Sequence, residues 1–406
     1  MNKKEEMNKK EKADIKKVED NQKTAGIKKK AWLIPLGMLA IAIVLNLIGW
    51  CSNTFCDWYV ENVFPVWAET YSRLTGLVSF SVGEWLLYAA ALLTAVFLAW
   101  GVAEAVFYFI RKKKKGGARL SKGFIVYLKF MLWVVGIVSL EMTLTCFLQF
   151  HVSPINERYR IGAKTCDEYG VEELMILRDY VVEQVNALSS EMERDEAGYL
   201  IYDDDMKTRA KLEMHRLSRE FPNLRGYYPN PKPFFFSDFF SQQYMMGYYF
   251  PFSMEANYND KMYVINMPAS MCHELSHLKG FLLEDEANFI GYLACVGSED
   301  AFFRYSGYMS VLYYLDRDFF DAIGQDIDVY FSHPVICEQV AEDDKFLTEE
   351  AWEEVEEDAL LDTEIVKEAS DKIVETNLAL NGVSDGKVSY SRVVGLLLQY
   401  YDGILY

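Results

Sequence analysis

Cys272-His273-Glu274-Leu275-Ser276-His277-Leu278-Lys279-Gly280-Phe281, with Glu284-Asp285-Glu286-Ala287-Asn288 close behind, decides how this chain folds and what it carries. His273 and His277 are four residues apart. On a helix that spacing projects both imidazoles from one face, so one metal ion reaches both. Glu274 lies next to the first histidine and can approach a water on that ion. Zinc lowers the pKa of such a water towards about 7, and a carboxylate can then take its proton. The motif therefore predicts His273 and His277 as ligands of one Zn2+ ion and Glu274 as the catalytic base. Pro268 ahead of the motif, Ser270 as N-cap and Gly280 as stop frame a helix over 270–279.

A hydrolytic zinc site needs a third protein ligand. Glu284 opens a second predicted helix, 284–295, and shares a face with Asn288. Glu284 is the expected ligand. Asp285 and Glu286 compete for the role, since acidic residues collect at helix starts for the macrodipole alone. Asn288 is placed to hold one histidine through its other ring nitrogen.

Met262-Tyr263-Val264-Ile265-Asn266 alternates and is the expected strand, able to pair with an extended substrate backbone. Tyr390 and Arg392 are candidate oxyanion donors, and Glu255 and Asn257 are candidates to order the cleft. His151, His215 and His333 read as surface or packing residues, and Cys272 and Cys295 as small core residues.

Working outward, three apolar stretches are long enough to cross a bilayer: 31–51, 85–110 and 124–150. The third carries Lys129 and Glu141, the lysine placed to snorkel and the glutamate to make helix–helix contact. Lysines dominate the tail 1–30, which has the composition of a disordered cytoplasmic arm. Basic residues also follow the second stretch, at 111–122, whereas the loop Ser52–Glu84 holds only Arg73. The positive-inside rule places the N-terminus and the 111–122 loop in the cytoplasm and everything after Phe150 outside. Cys51 and Cys56 are close enough in sequence to bridge there.

The chain has 406 residues, 51% hydrophobic, with a formal net charge of −19. The acids concentrate after His151, so that region repels phosphate, and nucleic-acid binding is not expected. Helical periodicity predicts helices at 171–192, 206–221, 299–323, 349–380 and 391–401. The expected fold is a membrane-anchored, mainly α protein. It has three N-terminal transmembrane helices and an α-rich outer domain, 151–406, with a small strand element.

Several runs carry a family resemblance: Tyr249-Phe250-Pro251-Phe252, Glu255-Ala256-Asn257-Tyr258-Asn259, Cys272–Phe281 and Glu284–Phe289, with a weaker match at Tyr390–Val394. H-E-x-x-H followed by E-x-x-A-N resembles the gluzincin arrangement, whose first glutamate binds zinc. The runs together resemble a bacterial membrane family, the domain of unknown function numbered 3810. The resemblance implies N-terminal spans followed by a zincin-like metallopeptidase domain acting on peptide or protein substrates, but names no substrate. Gly280 also fits the metzincin pattern, but the third histidine of that pattern would fall at Leu283. A non-catalytic zinc-fold sensor or binding module is the alternative expectation. Proteolysis inside the membrane is not expected, because Lys279, Glu284, Asp285 and Glu286 crowd the motif.

Overall fold

Three helices are long and apolar enough to cross a membrane: α1 (Leu33–Cys51), α4 (Val82–Lys115) and α5 (Lys122–Thr145). The computed structural model describes residues 32–115, 119–162, 169–380 and 392–406. The basic tail therefore lies outside the described residues. The spans begin and end within a few residues of the sequence expectation, because unbroken apolar composition leaves no other fold for the backbone in lipid.

The chain divides into two compact units. One comprises Ala89–Leu144 and the chain up to Ile48, and holds most of the three spans. Within it, a Cβ at Gly136 would lie 2.9 Å from the Pro35 carbonyl, so α1 and α5 cross closely only because that residue is glycine. Asn46 donates to the Thr143 hydroxyl at 2.8 Å across the same pair. Lys129 places its ammonium 4.9 Å over the Trp32 ring.

The second unit comprises Gly49–Tyr88 and Thr145–Tyr406. Its first segment, read from sequence as a loop, is helical: α2 (Asn53–Asn62) and α3 (Phe64–Thr75). Ser52 caps α2 by accepting the Phe55 N–H. Cys56, Tyr59, Val60 and Phe64 are buried, while Trp58, Val66 and Trp67 stay exposed. Cys51 and Cys56 are free thiols, so the bridge that their spacing allows does not form; Cys51 is exposed while Cys56 turns inward over Gly49.

The helical core is α6 (Val171–Ser189), α7 (Met206–Leu217), α8 (Asn266–His277), α9 (Glu284–Val296), α10 (Ala301–Ala322) and α11 (Val393–Tyr401). The periodicity located each of these. It misjudged 349–380, which breaks into Glu349–Glu357 and Thr363–Leu380; Asp362 accepts the Glu364 N–H and starts the second helix. Helix α8 starts at Asn266, one turn earlier than expected. Ser270 is therefore not its N-cap, and Pro268 sits in the first turn, where its missing N–H costs nothing. Gly280 is the expected stop, with a φ of +89° that an L side chain adopts only under strain.

A three-stranded sheet lies beside α8, in the order β1 (Lys232–Pro233), β3 (Glu255–Tyr258), β2 (Gly247–Phe250). Strands β2 and β3 are antiparallel, with Tyr248 opposite Asn257. The stretch Met262–Asn266 is not a strand. It is wound into the turn that leads into α8, with the Tyr263 N–H donating to Phe346 O and the Asn266 side chain to Lys345 O.

Candidate metal centre

Helices α8 and α9 pack so closely that a Cβ at Gly291 would lie 3.2 Å from the Ala269 carbonyl and the His273 nitrogen. Cys272 and Cys295 flank that crossing as buried free thiols with sulfurs 3.9 Å apart, the core role expected of them. The crossing sets the start of α9 against the histidines of α8. His273 Nε2 is 3.1 Å from Glu284 Oε2, and His277 Nε2 is 4.0 Å from Glu284 Oε1. The two imidazole centroids are 4.7 Å apart with perpendicular planes. Ligand-capable atoms of His273, Glu274 and His277 all lie within 4.8 Å of one another.

The far sides of both rings are fixed. His273 Nδ1 lies 2.8 Å from Asn288 Oδ1, and His277 Nδ1 lies 2.7 Å from Phe281 O. Both partners are oxygen acceptors, so each Nδ1 carries the proton. In the neutral ring each Nε2 then keeps a lone pair, directed to the common point beside Glu284. This donor set fits a divalent ion of zinc's type: two imidazoles plus one carboxylate.

The two other acids at the start of α9 point elsewhere. Glu286 accepts the Ile155 N–H at 2.8 Å and pairs with Arg158 at 2.5 Å. Asp285 caps the Glu286 N–H. Burial raises the Asp285 carboxyl and the Arg392 charge opposes the rise, so the exposed Arg392 acts on Asp285. Tyr390 lies outside the described residues.

The electrostatics reflect enclosure. Burial pushes the Glu274 carboxyl up to about 8, with the Glu284 charge adding and His273 opposing. Burial disfavours the charged His273 ring, but the Glu284 hydrogen bond and charge outweigh it and raise the ring to about 9. His277 falls to about 4, through burial and then the neighbouring His273 charge. Among the described residues no protein donor reaches the Glu274 carboxylate, which is only 5% exposed.

The sheet meets the site through β2, where a Cβ on Gly247 would fall 2.5 Å from Glu274 Oε1. The Tyr249 ring lies 5.9 Å from that of His277. Tyr248 keeps 40% of its surface exposed. Crowding around its hydroxyl pushes it up to about 12, with Cys146, Glu274 and Glu284 adding to the rise. The Glu284 charge also reaches Tyr314 on α10. The sequence reading missed Gly247 and Tyr248 as site residues. Their one signal was the Gly-Tyr-Tyr-Phe run, which reads equally well as core.

Glu255 is not at the histidines. Its carboxylate accepts the Gly83 N–H at 2.7 Å and the Val82 N–H at 3.3 Å, and pairs with Lys232. It thus joins β3 to the first turn of the second span. Asn257 donates to the Tyr248 and Glu255 carbonyls, both at 3.3 Å.

The family described as "Protein of unknown function (DUF3810)" matches residues 59–398, most of the chain and all of the second unit's helical core up to Leu398. This chain belongs to the DUF3810 family. The match runs through the second and third spans of this DUF3810 protein, the sheet, the α8–α9 crossing and the last helix. No curated protein and no solved structure matches the chain.

Proposed function

We propose that this DUF3810 protein is a membrane-bound zinc metallopeptidase with a zincin-like, gluzincin-type site that hydrolyses peptide bonds on the outer face of the membrane. One observation carries the reading. Two imidazoles locked through Nδ1 turn their Nε2 atoms towards one carboxylate, with a second, donor-free carboxylate at their side. His273, His277 and Glu284 would hold the ion, and Asn288 and the Phe281 carbonyl would orient the rings. A bound zinc supplies a water acidic enough to attack a carbonyl near neutral pH. Glu274 would accept a proton from the attacking water on its carboxylate and pass it to the departing nitrogen. Burial holds this carboxyl up at about 8, and a dication held beside it would favour the carboxylate that accepts the proton. Strand β2 is an edge of its sheet and runs past Glu274, so an extended peptide can add to it. The outward orientation rests on the basic residues before the first span and after the second.

The test is the full-length protein, zinc-loaded, in vesicles with a peptide library. Wild type is expected to cleave, whereas Glu274→Gln should bind zinc equally and cleave at least about 10²-fold more slowly. Zinc-loaded wild type that cleaves no peptide would favour the sensor or binding-module alternative.

A further inference from the structure

Strand β2 touches the metal helix and the membrane spans at once, all within the second unit. At one end, a Cβ on Gly247 would strike the Glu274 carboxylate. At the other, Phe250 packs on Gly83 in the first turn of α4, so closely that a Cβ there would come within 2.4 Å of its ring. Four residues of strand separate these contacts, about 10 Å at the usual rise. Between them, the Tyr249 hydroxyl donates to the carbonyl of Thr145, the last residue of α5, at 3.2 Å, while its ring faces His277. The start of the second span and the end of the third therefore both root on the strand that borders the site.

A second set of contacts fixes the level of the lipid. The carboxylate of Glu84, also in the first turn of α4, accepts the N–H groups of Phe235 and Phe236 at 2.6 and 3.0 Å. The Phe235 ring packs 5.3 Å from Trp85, and that of Phe236 5.4 Å from Tyr88. Trp85, Phe235 and Phe236 are all exposed. Aromatic side chains grouped around the end of a span belong to the membrane–water interface. The headgroup layer is roughly 5–8 Å deep on each side. A site about one four-residue strand from that aromatic group therefore lies at the lipid surface.

We infer that the substrate is a membrane-anchored polypeptide, taken as an extended segment within the first few residues after it leaves the lipid. Cleavage of that segment rests on the hydrolase reading; its capture does not. At about 3.3 Å per extended residue, the roughly 10 Å of strand and about 5 Å of headgroup layer together correspond to about five residues.

The test uses the full-length Glu274→Gln protein with a photo-crosslinking benzoylphenylalanine in place of Tyr248, in phosphatidylcholine–phosphatidylglycerol vesicles. The probe is a peptide with a Leu/Ala transmembrane helix followed by a long unstructured segment, in versions whose sequence is shifted outward by inserted linkers. Sequencing the crosslinks should place capture within about five residues of the helix end in every version. The zinc-loaded wild type, with Tyr248 intact, should cut in the same window. Capture that follows the shifted sequence, is spread evenly along the segment or is absent overturns the inference. Capture in the window without any wild-type cleavage would sustain the inference and overturn the hydrolase reading. Cleavage of soluble peptides with evenly spread capture would do the reverse.

Discussion

Two pairs of glutamates in the second unit have opposite surroundings. Glu84 and Glu255, where the sheet meets the second span, are saturated with donors: backbone N–H groups for both, the Tyr88 hydroxyl for one, and Lys232 for the other. Glu274 and Glu284, between α8 and the sheet, face only two imidazoles, and Glu274 has no donor among the described residues. A buried carboxylate is expensive unless it is hydrogen-bonded or paired. The first pair meets that requirement and is architectural. In the second pair Glu284 has His273 as partner, but Glu274 does not meet the requirement from the described residues, the pattern expected where a structure gives up stability for chemistry.

Four substitutions probe that contrast. Glu274→Gln should lower hydrolysis by about 10²–10⁴-fold, the usual contribution of a general base, in a peptide-cleavage assay. It should leave the thermal midpoint unchanged, because the Glu274 carboxyl, held up at about 8, is replaced by a neutral side chain of the same shape and loses no donor; a clear fall in the midpoint would erase the contrast. Lys232→Ala should do the opposite. Breaking a buried ion pair from one side costs about 3–5 kcal/mol, visible in denaturant unfolding of the detergent-solubilised protein, while zinc stoichiometry in the folded fraction is kept. Asn288→Ala should weaken zinc binding by about 10–100-fold, as loss of a ligand-orienting partner does. A competitive chelator titration reads this, and unchanged affinity would remove Asn288 from the site. Gly247→Ala should cost about 1–3 kcal/mol through overpacking against Glu274. It should also reduce turnover with zinc retained; full activity would mean that β2 does not position the carboxylate.

The parts of this arrangement legible in the sequence are those encoded locally. Helical spacing brought His273 and His277 onto one face, and the same spacing put Asn288 beside Glu284, where it does meet His273. Unbroken apolar composition marked the spans. What stayed hidden depends on partners far along the chain. Strand β3 contains a glutamate and an asparagine, and reads as a poor strand until Glu255 meets the start of α4, more than 170 residues away. Met262–Asn266 alternates like a strand, yet Phe346 and Lys345 claim its polar groups and turn it. Helices α2 and α3 hide because each is short and its apolar residues do not sort to one face: Trp58, Val66 and Trp67 are exposed while Ser72 and Thr75 are buried. Among Glu284, Asp285 and Glu286 the sequence offered no ranking that excluded the others. The Arg158 and Ile155 contacts of Glu286 lie in a separate segment, and they are what turn it away from the histidines.

The most direct measurement is elemental analysis of the full-length protein after mild, chelator-free purification, beside His273→Ala and Glu284→Ala. One zinc ion per chain in wild type, with stoichiometry collapsing in both variants, is the expected result. Wild-type protein that carries no metal and takes up none from added zinc would contradict the metal centre and the hydrolase built on it.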